Sequence, residues 1–96
     1  MVVRVTPRAE RQVLEATRWW RENRPAARFL IDEELSSALR QIAVHPESGV
    51  SVRERAGVRR ILLLRCEYHV FYRVRPRARR IEVVAFWYAG RGTPPP

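Results

Sequence analysis

Two apolar runs flank a basic turn in the stretch 68-YHVFYRVRPRARRIEVVAFWYAGRG-92. Both runs are rich in β-branched and aromatic residues, which favour strands. Alternate residues lie on opposite faces of a strand. The first run therefore divides into two faces, Tyr68, Val70, Tyr72 and Val74 against His69, Phe71 and Arg73. The second divides into Ile81, Val83, Ala85 and Trp87 against Glu82, Val84, Phe86 and Tyr88. With a turn at 76–78, the stretch predicts a β-hairpin that has an arginine-rich end.

A third strand precedes the hairpin. Residues 58–64, VRRILLL, alternate with period two, so that Arg60 and Arg59 lie on opposite faces. A short turn near Cys66 joins this run to the hairpin, which predicts an antiparallel meander of three strands. Residues 46–57 have no apolar period and are expected to form a loop.

The first half of the chain has helical periodicity. Residues 2–6 predict a short strand, and Thr6-Pro7 is typical of a helix start, with Thr as N-cap and Pro at the first position. A first helix should end near Asn23, because Pro25 disfavours helical backbone in the residue before it. A second helix is expected from about Pro25 to Val44, and the two should form an antiparallel helical hairpin.

These elements predict an α+β fold of order β-αα-βββ. The helical hairpin should pack on one face of a small antiparallel sheet, and the other face should carry arginines and aromatic residues. Ninety-six residues suffice for one modest core. We expect a single domain over residues 1–92, followed by a proline-rich tail at 93–96.

Positive charge is concentrated in the second half of the chain. The net charge is +9, with 19 arginines and no lysine. Residues 1–52 contain eight arginines and seven acidic residues, whereas residues 53–96 contain eleven and three. The absence of lysine fits a compositional bias. The bias does not explain why the acidic residues are depleted from the second half, so the asymmetry favours an anionic partner, either nucleic acid or an acidic protein segment.

Most familiar catalytic and targeting patterns are absent from the sequence. Two histidines and one cysteine give no metal-ligand spacing, no glycine-rich phosphate loop is visible, and no cofactor is expected. No apolar run approaches a bilayer span, and the N-terminus lacks the apolar region of a signal peptide, so a cytoplasmic location is expected. A lone Cys66 fits a reducing compartment. The acidic pair Glu33 and Glu34 is interpreted as a solvated helix surface.

Three residues allow two readings each. His69 is expected on the face with Phe71 and Arg73, and Arg59 is grouped with them. It is either a general base or, more often at such positions, a hydrogen-bonded surface histidine. Trp19 lies about 100° around the helix from the core residue Trp20, so it either closes the core edge or binds a partner. Tyr88 with Arg91 forms an aromatic–basic corner that either stacks on a base or closes the sheet edge.

The order and spacing of several short motifs resemble the RelE/ParE superfamily, the toxins of bacterial type II toxin–antitoxin systems. The motifs are A-x-F (27–29), L-x-x-A (35–38), I-x-x-x-P-x-x-G (42–49), VRRILLL (58–64), Y-x-V-F-Y-R-V (68–74) and I-x-V-V (81–84), followed by Arg91. The segment WWRENRP (19–25) resembles the ParE branch, whose members are often described as plasmid stabilisation proteins.

The resemblance implies two alternative activities. The RelE branch cleaves messenger RNA on the ribosome with basic residues of the central strands, an arginine after the last strand and a C-terminal tyrosine. Carried over, that set would be Arg60, His69, Arg73 and Arg91, but Leu62 stands at a second basic position and the tyrosine has no counterpart. The ParE branch, which inhibits DNA gyrase and lacks most of that set, is therefore the preferred resemblance, although a histidine is common there in place of Tyr88.

The resemblance also implies a partner. Toxins of this superfamily are neutralised by a cognate acidic antitoxin whose disordered segment folds over the toxin, giving a hetero-oligomer. The residues expected to bind partners are Trp19, Arg59, Phe71, Arg73, Tyr88 and Arg91. A degenerate, non-toxic protein that retains only antitoxin binding is a further alternative.

Overall fold

The computed structural model describes residues 1–90 of the 96. Strand β1 spans Val2–Val5, helix α1 spans Pro7–Asn23, and a short 3₁₀ turn over Pro25–Ala27 precedes helix α2 at Leu30–Val44. The remaining strands are β2 (Val50–Ser51), β3 (Val58–Leu63), β4 (Tyr68–Arg75) and β5 (Arg80–Tyr88). Arg91 and the predicted proline-rich tail lie outside the described residues.

The predicted α+β order is confirmed, with two helices on one five-stranded sheet. The strand order is β1-β5-β4-β3-β2. Strands β2 to β5 pair antiparallel, but β1 pairs parallel with β5, so the sheet is mixed rather than purely antiparallel. The direction of β1 depends on which edge strand it pairs with, and the sequence spacing carries no signal for that. The two-residue β2 lies within the segment that was expected to be a loop.

Helix α1 begins and ends where the sequence predicts. The side chain of Thr6 accepts a hydrogen bond from the Ala9 N–H at 3.2 Å, which satisfies one of the unpaired donors at the helix start. The buried Trp20 donates from Nε1 to the carbonyl of Ala27 at 2.7 Å. This bond ties the end of α1 to the 3₁₀ turn, so Pro25 starts a tight connection and α2 begins five residues later than predicted.

The main core lies between the helices and one face of the sheet. Its fully buried side chains include Ile31 and Ile42 from α2, Val70 and Tyr72 from β4, and Phe86 from β5. Phe86 was expected on the opposite face. The register shifts by one residue between Phe71 and Tyr72, which pair with Ala85 and Val83, so β5 contains a bulge. The extra residue breaks the alternation, and Phe86 and Tyr88 join the helix-facing side.

Two side chains of the helices accept hydrogen bonds from backbone N–H groups of the sheet and of one of its turns. Gln12 accepts a hydrogen bond through Oε1 from the Phe86 N–H at 2.8 Å, beyond the point where β1 ends. Glu34 accepts from the N–H groups of Arg65 and Cys66 at 3.1 and 2.8 Å. The interpretation of Glu34 as a merely solvated residue was wrong, because it caps the β3–β4 turn. None of the helices within residues 1–90 is long and apolar enough to cross a membrane.

Candidate functional site

The face of the sheet that points away from the helices, the open face, brings together three of the predicted site residues. The register pairs Arg60 with Phe71, Leu62 with His69, and His69 in turn with Trp87. Paired residues of neighbouring strands share a face. Arg60, His69 and Arg73 therefore lie on one surface, as the alternation of β3 and β4 predicts.

Phe71 lies on the open face but is not part of its surface. Its side chain is 1% exposed and forms a second, smaller core with Val52, Val58 and Ala85. The segment around Val52 covers this part of the sheet, which explains why an aromatic residue is buried on the side without helices. Phe71 thus supports the open face from beneath, and its contact with a partner stays a prediction.

Arg59 lies on the other side of the sheet from His69. It pairs with Tyr72, and its Nη1 donates to the carbonyl of Gly49 at 2.8 Å and, more weakly, to that of Glu47 at 3.4 Å. These bonds hold the segment that leads into β2. The grouping of Arg59 with His69 was therefore wrong. In this structure Arg59 stabilises the segment before β2 by hydrogen bonds to its backbone carbonyls.

His69 is half-buried, with the Phe71 ring and the positive charge of Arg60 nearby. Its ring lies edge-on to Phe71, with 5.8 Å between the centroids, and its Nδ1 is buried without a hydrogen-bond partner among the described residues. Burial and the positive charge of Arg60 lower the pKa of the imidazole, so it is neutral at pH 7. A neutral imidazole can accept a proton, but its cross-strand neighbours Leu62 and Trp87 are not acids.

The two arginines predicted to act with His69 differ in exposure. Arg60 is exposed and Arg73 is half-buried. Neither forms a salt bridge within residues 1–90, so both guanidinium groups are available to an anion. Arg91, the fourth member of the set implied by the resemblance, is outside the described part of the chain.

A groove of about 520 Å³ lies between the end of α1 and the β3–β4 turn, on the helix side of the sheet. We refer to it as the aromatic groove. Trp19 and Tyr88 are 46% and 40% exposed in it, although both are large and mostly apolar. The groove is also lined by Trp20, Tyr68, Phe86, Gln12, Glu15, Arg24 and Arg65.

The aromatic side chains of the groove are held by one another. Tyr68 stacks on Phe86 with 4.7 Å between ring centroids and contacts Tyr88 at 5.5 Å. The guanidinium carbon of Arg24 lies 5.6 Å from the centre of the Trp19 ring, a cation–π contact. Trp19 and Tyr88, predicted separately as partner residues, therefore line one groove. Sequence reasoning missed the groove, because no local pattern shows that α1 ends beside this turn.

Arginines crowd the opposite end of the hairpin. The arginine rim consists of one acidic residue, Glu82, and six arginines, Arg4, Arg73, Arg75, Arg77, Arg79 and Arg80. Arg75 donates from Nε to Glu82 at 3.0 Å, and Arg80 Nη2 lies 3.2 Å from the other carboxylate oxygen. These contacts, led by the hydrogen bond from Arg75, lower the pKa of Glu82.

Comparison with known proteins gives a consistent family assignment. The family model described as "ParE toxin of type II toxin-antitoxin system, parDE" matches residues 3–92. A chain of the chromosomal ParDE toxin–antitoxin system from P. aeruginosa superimposes with a TM-score of 0.75 at 16% identity, over 92% of this chain and 95% of that one. The isolated RelE toxin of E. coli gives 0.62 at 22% identity, over 95% and 86%. Among curated protein sequences, none matches significantly. At these identities the two structures show a shared fold.

Proposed function

This chain belongs to the family of ParE toxins of type II toxin–antitoxin systems, and from that premise we propose that it inhibits DNA gyrase by direct contact and is neutralised by an acidic antitoxin. Gyrase and antitoxin would both be met in the cytoplasm. The activity proposed is that of a binding protein rather than of an enzyme.

The observation that carries the proposal is the setting of His69. General acid–base cleavage of RNA depends on side chains positioned to take up and to supply a proton at the reacting phosphate. His69 can act as a base, but the positions paired with it are occupied by Leu62 and Trp87. Within residues 1–90, the side chains directly across from His69 are thus a leucine and a tryptophan, which supports binding to a protein over cleavage of a nucleic acid.

The aromatic groove is the proposed docking site for the antitoxin. A segment that folds on binding must bury apolar surface to offset the entropy of ordering. Trp19 and Tyr88 provide such surface, and the net charge of +9 attracts an acidic chain over long range. Trp19→Ala with Tyr88→Ala should weaken antitoxin binding more than tenfold, whereas the matched change Phe29→Ala, at another exposed aromatic residue, should not.

Two experiments test the target. After induction in a bacterial host, incorporation of labelled precursors should stop first in DNA, before RNA and protein. With purified gyrase, the toxin should inhibit supercoiling of relaxed plasmid, and preincubation with the antitoxin should restore it. Early arrest of protein synthesis with cleaved transcripts, together with unaffected supercoiling, would exclude the gyrase proposal.

A ribosome-dependent ribonuclease is the second candidate. It is favoured by one observation, the neutral His69 near Arg60 on the open face, which also carries Arg73 farther along β4. In that case His69→Ala would abolish toxicity and transcript cleavage, while a gyrase inhibitor would lose at most a contact. If induction has no effect on growth but the antitoxin still binds, the chain is a non-toxic member that retains only its partner.

A further inference from the structure

We propose that the arginine rim binds the phosphate backbone of double-stranded DNA. The proposal goes beyond gyrase inhibition and does not depend on it, because the binding is a property of this chain alone. It concerns a surface at the far end of the hairpin from the aromatic groove.

The rim has the charge density that a phosphate backbone attracts. The rim contains six arginines and one carboxylate, and the residues from Arg75 to Arg79 are all exposed. Duplex DNA carries one negative charge per roughly 1.7 Å of its axis. When guanidinium groups neutralise its phosphates, the counterions bound to the DNA are released. Guanidinium groups also bind phosphate oxygens in a bidentate geometry.

The positions of these arginines are set by the sheet. Arg75 pairs across the hairpin with Arg80, and Arg73 and Arg4 flank Glu82 on strands β4 and β1. Glu82 holds the guanidinium groups of Arg75 and Arg80 in place through its two oxygens. A single carboxylate that orients two cations leaves a large positive excess and lowers the ordering cost of binding.

The composition of the rim favours a backbone over other anions. An acidic peptide that folds on binding needs an apolar surface. The exposed aromatic side chains of the groove, Tyr88 among them, lie at the opposite end of the hairpin, roughly 25 Å away along eight residues of strand β4. Beside the rim, the exposed Val2 pairs with Arg80, but this aliphatic side chain offers far less apolar surface than the aromatic groove. Single-stranded nucleic acid is bound by stacking its bases on aromatic rings, and the rim contains no aromatic residue. A duplex needs only the phosphate contacts.

The test uses fluorescence anisotropy of a labelled 20-base-pair duplex at about 50 mM salt with the full chain. The rim variant is Arg4→Gln, Arg77→Gln and Arg79→Gln, which leaves both ion pairs of Glu82 intact. The control variant is Arg11→Gln, Arg18→Gln and Arg40→Gln, three exposed arginines of the helices, so that both variants lose the same charge. Circular dichroism and urea unfolding establish that both variants are folded.

We expect the rim variant to bind the duplex about tenfold more weakly than the control variant. Its plot of log Kd against log salt should be shallower by about 0.9 for each phosphate contact that is lost. Equal losses in the two variants would mean that only net charge matters and would overturn the proposal. Tighter binding of an oligo-dT strand or of a poly-glutamate peptide by the same residues would also overturn it. The supercoiling assay on the rim variant is separate, so either proposal can fail alone.

Discussion

The hydroxyl of Tyr72 accepts a hydrogen bond from the Gly49 N–H at 2.8 Å and donates one to the carbonyl of Pro46 at 2.7 Å. A fully buried side chain of the central strand β4 thus holds the segment between α2 and β2. This contact gives the I-x-x-x-P-x-x-G motif a physical basis, since its proline and its glycine are the two residues bound.

Removal of this hydroxyl should destabilise the protein. Tyr72→Phe leaves the N–H of Gly49 and the carbonyl of Pro46 without their partner in a buried position, and the expected loss is about 1–3 kcal/mol in the free energy of unfolding. Urea denaturation measures it. Tyr88→Phe is the control, because Tyr88 is exposed and its loss should stay within about 0.5 kcal/mol. Equal effects in the two variants would contradict the assigned role of the hydroxyl.

Gly49 should tolerate no larger residue. A Cβ at this position would lie 2.6 Å from the Tyr72 hydroxyl oxygen and 2.7 Å from the carbonyl oxygen of Arg60. We expect Gly49→Ala to cost about 1–3 kcal/mol, the range for overpacking a tight site. Tyr72 Cε1 would lie 2.8 Å from the same Cβ. In the double variant with Tyr72→Phe the contact with the hydroxyl is removed and the other two remain, so the combined loss should be somewhat smaller than the sum. Additive losses would show that the contacts with the Arg60 carbonyl and the aromatic ring, and not the contact with the hydroxyl, set the limit.

Glu34 should stabilise the fold far more than its sequence neighbour Glu33. Both residues lie on α2, but of the two only Glu34 accepts hydrogen bonds from the N–H groups of the β3–β4 turn. Glu34→Gln places an amide donor next to two N–H groups and should lower the free energy of unfolding by about 1–3 kcal/mol. Glu33→Gln removes the same charge from an exposed side chain and should have little effect. Thermal unfolding of the two variants measures this difference in stability, and equal losses would contradict the role of Glu34 at the turn.

The thiol of Cys66 should be inert in the folded protein. Burial, followed by the hydrogen bond with Glu34 and its negative charge, raises the pKa of this thiol to about 12. Thiolate is the reactive species, so a disulfide reagent such as DTNB should not label native protein at pH 8 and should label it fully in denaturant. Labelling should become faster in Glu34→Gln. Rapid labelling of the native wild-type chain would contradict this account of the turn.

Local alternation predicted the faces of β3 and β4, but it failed at β5, where Val84 and Ala85 are both small and apolar and fit either side. A bulge between two such residues leaves no trace in the pattern, and Phe86 was assigned to the wrong face. The role of Glu34 was equally hidden, since it depends on a turn more than 30 residues away in sequence that approaches α2 only in the fold. Periodicity reports which face a residue is on, whereas these contacts depend on how separate elements meet.

His69 should titrate below the ordinary range of histidine. Burial lowers the pKa of its imidazole first, and the positive charge of Arg60 lowers it further. Its midpoint, followed by NMR of the ring protons and assigned with His69→Gln, should therefore lie below 6.5. Arg60→Gln should raise the midpoint without reaching that value, because burial remains. A wild-type midpoint at or above 6.5 would exclude the environment described for this residue.

The same shift has a consequence for stability. When the pH falls through 6.5, the unfolded chain takes up a proton at His69 while the folded chain does not, until its own lower pKa is reached. In this window the unfolded state binds more protons, so the stability of the fold decreases as the pH decreases. His69→Gln should remove this part of the pH dependence, and urea unfolding at pH 7.5 and 5.5 compares the two proteins. An unchanged difference between the two pH values in the variant would mean that other groups cause the loss.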